Sequence, residues 1–139
     1  MKNLVESRKH DICFHRNGKI DITAHVARAL GLREGDVLAV GIDGEDYCPE
    51  YYLYVRCRRE CVQGRYEATC SSTVRKGGNS RFLRAYSKSI CRTICDLVGG
   101  TDAYLMTGEL RTDIQGTDRA LTLITRTNLK PAKVINPHL

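Results

Sequence analysis

Between Ala68 and Cys95 the 139-residue chain carries no acidic side chain, while Arg75, Lys76, Arg81, Arg84, Lys88 and Arg92 are all basic. A one-signed stretch of this kind focuses potential and attracts a polyanion. In its midst Gly77-Gly78-Asn79-Ser80 lets backbone approach a ligand closely and offers N–H and amide donors. Arg81 and Arg84 can reach phosphates or guanine edges from beside it. Lys88 and Arg92, one helical turn apart, suit phosphate contacts, which position a protein without reading sequence. A second basic cluster is Arg8, Lys9, His10, His15, Arg16 and Lys19, diluted by Asp11 and Asp21. Residues 1–73 balance 11 Lys/Arg against 11 Asp/Glu, whereas residues 74–139 hold 11 against 5, so the whole net charge of +6 lies in the second part.

Other chemistries find less support in the residues. The seven cysteines are odd in number and follow no signal peptide, which argues against a secreted disulfide framework. Cys57 and Cys61, like Cys91 and Cys95, stand one helical turn apart rather than at the two-residue gap of zinc knuckles. Cys57, Cys91 and Cys95 therefore read as small buried hydrophobes, and no metal or other cofactor is expected. There is no Gly-x-Ser-x-Gly elbow, no phosphate-binding loop with its lysine and hydroxyl pair, and no His-Glu-x-x-His, so the chain does not read as an enzyme. No apolar run approaches bilayer length, and Met1 to Arg8 lacks an apolar stretch; a soluble cytoplasmic protein without a membrane partner is expected.

The elements that must position these residues follow from periodicity. Ile20 and Ile22 alternate with Lys19, Asp21 and Thr23, the pattern of a half-buried strand. Thr23 is placed to cap a helix from Ala24, whose Val26, Ala29 and Leu30 share one face. Gly31 suits the left-handed helix end, Arg33-Glu34-Gly35-Asp36 a turn, and Val37 to Val40 a second strand. A helix of two turns is not stable alone and must be clamped by strands. The same order recurs from Val74: a strand, a helix predicted over Tyr86 to Leu97 with Ile90, Ile94 and Leu97 on one face, a turn at Gly99-Gly100-Thr101-Asp102, and a strand at Ala103 to Met106. Between the two units, Tyr51 to Arg58 and Arg65 to Val74 alternate as strands and read as a connecting hairpin, with Gly41 to Pro49 as an acidic loop before them. A last strand holds Leu121, Leu123 and Ile124, after a turn at Asp113 to Gly116.

Over Gly18 to Asp43, with its Gly-basic-apolar-x-apolar opening, Leu30-Gly31-Leu32 helix end and Glu34-Gly35-Asp36 turn, the chain resembles the swapped-hairpin DNA-binding module of AbrB-type regulators and MazE-type antitoxins. Val74-Arg75-Lys76-Gly77-Gly78-Asn79-Ser80 resembles the opening of the MazE-type module. Thr23 and Tyr86 stand where the family has proline. The resemblance implies a mainly β, α+β protein: an internally duplicated swapped-hairpin barrel in one domain of residues 1–139. Its first half would span 8–59, its more divergent second half 65–127, and its extended tail 128–139. It further implies a transcriptional regulator that meets double-stranded DNA through Arg75, Lys76, Asn79, Arg81, Arg84 and Lys88, with Arg16 and Lys19 beside the first glycine, alone or as a homodimer. A second reading stays open: a protein-interaction module, antitoxin-like or an accessory of a mobile element, that uses a Tyr52/Tyr54 face or the tail.

Overall fold

A computed structural model describes residues 9–45, 48–56, 71–76, 83–114 and 117–129. The elements run β1 (Ile12–Phe14), β2 (Lys19–Ile22), α1 (Ala24–Leu30), β3 (Val37–Glu45), β4 (Cys48–Arg56), β5 (Ser71–Thr73), β6 (Arg75–Lys76), β7 (Leu83–Tyr86), α2 (Lys88–Leu97), β8 (Ala103–Arg111) and β9 (Ala120–Ile124). The described residues are thus mainly β with two helices, as the alternating apolar pattern predicts.

The strands form one nine-stranded sheet in the order β5-β3-β4-β9-β8-β1-β2-β7-β6, antiparallel throughout. Val74 alone separates β5 from β6, so both ends of that order belong to a single stretch of chain. The sheet therefore curls back on itself as a nearly closed barrel, which removes most of the exposed edge an open sheet would present. Val74 is tied to the turn before β3, donating its N–H to the Asp36 carbonyl at 2.8 Å and accepting from the Gly35 N–H at 2.7 Å.

The order also interleaves the chain. The β1–β2 hairpin sits between β8 and β7, and the β3–β4 hairpin sits between β5 and β9. Neither the strands before residue 57 nor those after residue 70 form a contiguous sheet; each set is completed only by the other. Inward side chains from both sets, among them Phe14, Ile20, Leu38, Leu53 and Leu105, make one core, and Val26 of α1 with Ile90 and Ile94 of α2 reach into it. Removing this apolar surface from water drives the arrangement, because neither short helix would persist alone.

Several local expectations need correction. The second helix begins at Lys88, not Tyr86: Tyr86 ends β7, and the Ser87 side chain accepts from the Ile90 N–H at 3.2 Å as the helix cap. Thr23 occupies the cap position of α1 but its hydroxyl donates to the Asp11 carbonyl at 2.6 Å, leaving the helix without a side-chain cap. Of the expected loop from Gly41 to Pro49, residues 41–45 and 48–49 are ladder instead, because β3 and β4 stay paired from Val37↔Arg56 out to Glu45↔Cys48. Nor do the described parts of the two middle strands pair with each other. The described part of the second, β5, pairs with β3, while β4 is enclosed by β3 and β9 and has no edge left. Gly31, Gly35, Gly99 and Gly100 all take positive φ at the predicted turns.

Candidate nucleic-acid interface

The first candidate residues surround a four-residue turn between β1 and β2. The His15 carbonyl accepts from the Gly18 N–H at 2.9 Å, and the His15 N–H donates to the Lys19 carbonyl at 2.8 Å. Asn17 folds its side-chain oxygen back onto the Lys19 N–H at 2.9 Å, which leaves Arg16 exposed at the tip. Gly18 is required here for two reasons. Its φ is +102°, and a Cβ would stand 3.1 Å from Lys88 Cγ and 3.4 Å from Lys88 N. The Gly18 carbonyl accepts from the Ser87 N–H at 2.9 Å, so the turn is sealed against the start of α2. Arg16, Lys19 and Lys88 are thereby gathered at one corner, although 72 or 69 positions separate Lys88 from Arg16 and Lys19 in sequence.

The second group lies on the outward face of the central ribbon, β2 paired with β7. Ile20 faces Ala85 on the core side, whereas Lys19 faces Tyr86 and Asp21 faces Arg84 outward. Next along the sheet, Arg75 of β6 pairs with Arg84, whereas Lys76 pairs with Leu83, in the core-side register of Ile22, and is exposed all the same. These residues lie toward the other end of the ribbon, about 10 Å from the Gly18 corner at the usual rise per strand residue. Asn79 and Arg81 fall outside the described residues.

Asp21 carries a network that composition does not reveal. One carboxylate oxygen accepts from Arg84 Nε at 2.8 Å and the other from His15 Nε2 at 2.9 Å. His15 Nδ1 lies 3.5 Å from Asp102, and Asp102 accepts from the Arg16 backbone N–H at 2.8 Å. Partial burial works to raise the Asp21 pKa, but the hydrogen bonds from His15 and Arg84 outweigh it and hold the carboxyl below its ordinary value. Asp102 is likewise held low, chiefly by the Arg16 N–H. Sequence reading treats Asp21 as a dilution of positive charge. The strand alternation already places it outward, but its partner comes from β7, and no local pattern announces that pairing.

Behind the ribbon the thiols are inert. Cys91 and Cys95 point their sulfurs at the Lys19 and Phe14 carbonyls, at 3.6 and 3.3 Å, along the seam between α2 and the hairpin. Burial pushes the Cys13 and Cys91 thiols up to about 12, so they remain protonated. Among the described residues no group of histidine, cysteine and carboxylate side chains is arranged to hold a metal ion.

The tyrosine pair has a packing role. Tyr52 and Tyr54 lie with ring centroids 6.0 Å apart, Tyr54 is only 7% exposed, and the Tyr52 ring covers Gly41, where a Cβ would come within 2.9 Å of it. The chain leaving β9 is anchored at Asn128, which accepts from the Tyr104 N–H at 2.9 Å, and at Leu129, whose N–H donates to the Tyr104 carbonyl at 2.8 Å. The rest of the tail lies outside the described residues. Among those residues no helix is long and apolar enough to cross a membrane. No protein-family model, curated protein or solved structure matches this chain.

Proposed function

We propose that this chain is a DNA-binding protein, a transcriptional regulator of AbrB or antitoxin type, whose two halves form one swapped-hairpin barrel without a second subunit. The observation that carries the reading is the interleaved strand order. Each half runs two paired strands into a helix and then a hairpin, and the hairpin after each helix is seated between strands of the other half: β3–β4 between β5 and β9, and β8–β9 between β4 and β1. This is the arrangement that the resemblance at Gly18 to Asp43 and at Val74 to Ser80 implies, here within one chain. Internal duplication is the simplest origin for it.

Charge supports the same reading. The two segments that lead into β2 and β7 are those that carry Arg16 and Lys19 on one side and Lys76 to Arg81 on the other. The antiparallel β2–β7 pairing puts Arg16 and Lys19 toward one end of the ribbon and Lys76, which pairs with Leu83, toward the other. The outward face of β2 and β7, flanked by β1 and β6, would lie across the major groove, and its basic ends would meet phosphates on either side. Lys88 and Arg92, both exposed on α2, extend the positive corner beside Gly18.

The test is fluorescence anisotropy of the protein with a mixed-sequence duplex, titrated across salt, followed by selection from a random duplex pool. Five or six phosphate contacts would give a log–log salt slope of about −5. The pair Arg81→Ala with Arg84→Ala is expected to weaken binding while the protein still melts cooperatively. Absence of binding at low salt would remove the DNA role and favour the protein-interaction reading.

A further inference from the structure

A carboxylate in the middle of a basic ribbon is the wrong charge for a surface that meets phosphates, and Asp21 is placed there with both oxygens engaged. Arg84 Nε holds one at 2.8 Å and His15 Nε2 the other at 2.9 Å. Nε is the root of the guanidinium fork. A hydrogen bond at that atom constrains the torsion that aims the guanidinium plane. The pair is only partly exposed, at 27% for the Asp21 side chain and 25% for that of Arg84, and it stands on two paired strands rather than on a loop. Rigid elements with a supporting shell are what accurate recognition requires. The same carboxylate reaches through His15 and Asp102 to the Arg16 N–H, so one chain of contacts joins the β7 arginine to the turn that carries Arg16.

We propose that Asp21 is a positioning residue for base recognition: it orients Arg84 toward a guanine edge and, through His15 and Asp102, keeps the Arg16 turn in register with it. This rests on the DNA-binding reading and adds to it a division of labour. Lys19, Lys76 and Lys88 supply affinity for any duplex. Arg84, held by Asp21, supplies preference for one base pair.

The charge of Asp21 makes the inference testable by sign. Asp21→Asn removes one negative charge, so affinity for a mixed-sequence duplex should rise slightly. If Asp21 orients Arg84, affinity for the duplex selected from the random pool should fall at the same time, and the ratio of selected to mixed affinity should drop roughly tenfold, the scale of one good guanine contact. The lost preference should fall at the base pair where Arg84→Ala loses it, and Asp21→Ala combined with Arg84→Ala should be no worse than Arg84→Ala alone. A carboxylate that merely ties two strands together would lower the melting temperature and leave the ratio unchanged. One that merely repels phosphate would raise both affinities alike. Either result, with wild-type protein binding duplex normally, overturns the inference and leaves the DNA reading standing. A wild-type protein that fails to bind duplex at low salt overturns both.

Discussion

The corners where the two halves enter their helices are built from the same kinds of parts and differ in how they are secured. At the first, Thr23 precedes a seven-residue helix, and its hydroxyl turns away to the Asp11 carbonyl. At the second, Ser87 precedes a ten-residue helix and caps it properly, and four residues of that helix are buried. The second corner also receives the Gly18 turn of the opposite half, through the Ser87 N–H to Gly18 carbonyl bond. The difference shows where order comes from. α2 has a cap, length and a wide buried face, whereas α1 is helical because its two buried residues, Val26 and Leu30, are held by the barrel. The half with the excess of positive charge is thus the one whose helix is better secured.

The strongest way to sharpen this comparison is to empty one contact in each helix. Val26 and Ile94 are both fully buried. Ile94→Ala should cost about 2–5 kcal/mol in urea denaturation and lower the stability of the whole barrel. Val26→Ala deletes less volume and should cost about 1–3 kcal/mol, but in a helix of two turns the loss should also appear as local fraying in amide exchange. Equal losses confined to each helix would mean that the halves fold independently, contrary to their interleaving.

Much of this frame is legible in the residues, and the reasons are local. Strand alternation at Ile20 and Ile22, the αL glycine at Gly31, and the i, i+4 spacing of Ile90 and Ile94 all report short-range physics, and those residues stand where it puts them, although the second helix starts two residues later than its periodicity suggests and leaves Leu97 exposed. What the sequence hides is long-range. Thr23 reads as a cap because its type and position suit one, yet a competing carbonyl, twelve residues earlier, takes its hydroxyl. Gly41 to Pro49 reads as a loop because glycine, proline and acids suggest exposure, yet residues 41–45 and 48–49 belong to the ladder. The pairing of β5 with β3 rather than β4 depends on which edges remain open once β9 has docked. The candidate site divides in the same way. Arg16, Lys19, Arg84 and Lys88 are visible from charge alone, but the Asp21–Arg84 pair exists only after residues 63 positions apart are brought face to face.

Gly18 and Gly35 offer a second contrast. Both adopt positive φ, at +102° and +96°, but a Cβ at Gly35 meets nothing within 4 Å. Gly35→Ala should therefore cost only the backbone strain, about 1–2 kcal/mol. Gly18→Ala adds crowding against Lys88 and should exceed it by up to roughly 1 kcal/mol, because movement of the turn also disturbs the bond to Ser87. Matching denaturation midpoints for the two variants would show that the seal between turn and helix contributes nothing.

Ser87→Ala tests the cap itself. Loss of the bond to the Ile90 N–H should cost about 1 kcal/mol. Thr23→Ala should cost less, about 0.5 kcal/mol, because the Asp11 carbonyl loses the hydroxyl but still accepts from the Thr23 N–H at 3.2 Å. Helix content measured by circular dichroism separates the two: the Ser87 variant should lose helical signal before the global transition, whereas the Thr23 variant should lose stability without early fraying.

The smallest effect is expected from acid, and it falls on the contacts that join the two corners. The carboxyl pKa values of Asp21 and Asp102 are both lowered from their ordinary 3.8. A group whose folded pKa is depressed binds protons more readily when unfolded. It therefore contributes stability that is fully present above pH 3.8 and is lost as the pH falls through the lower, folded value. Chemical denaturation at fixed temperature should accordingly show wild-type stability flat with respect to these two groups near neutrality and declining below about pH 4. Asp21→Asn removes one of the two titrations, so the difference between wild type and variant should shrink as the pH drops. A difference that stays constant down to pH 2 would mean that the contacts from Arg84 and His15 do not favour the charged form. The ribbon would then be held by packing alone, and the link between the two corners would be steric rather than electrostatic.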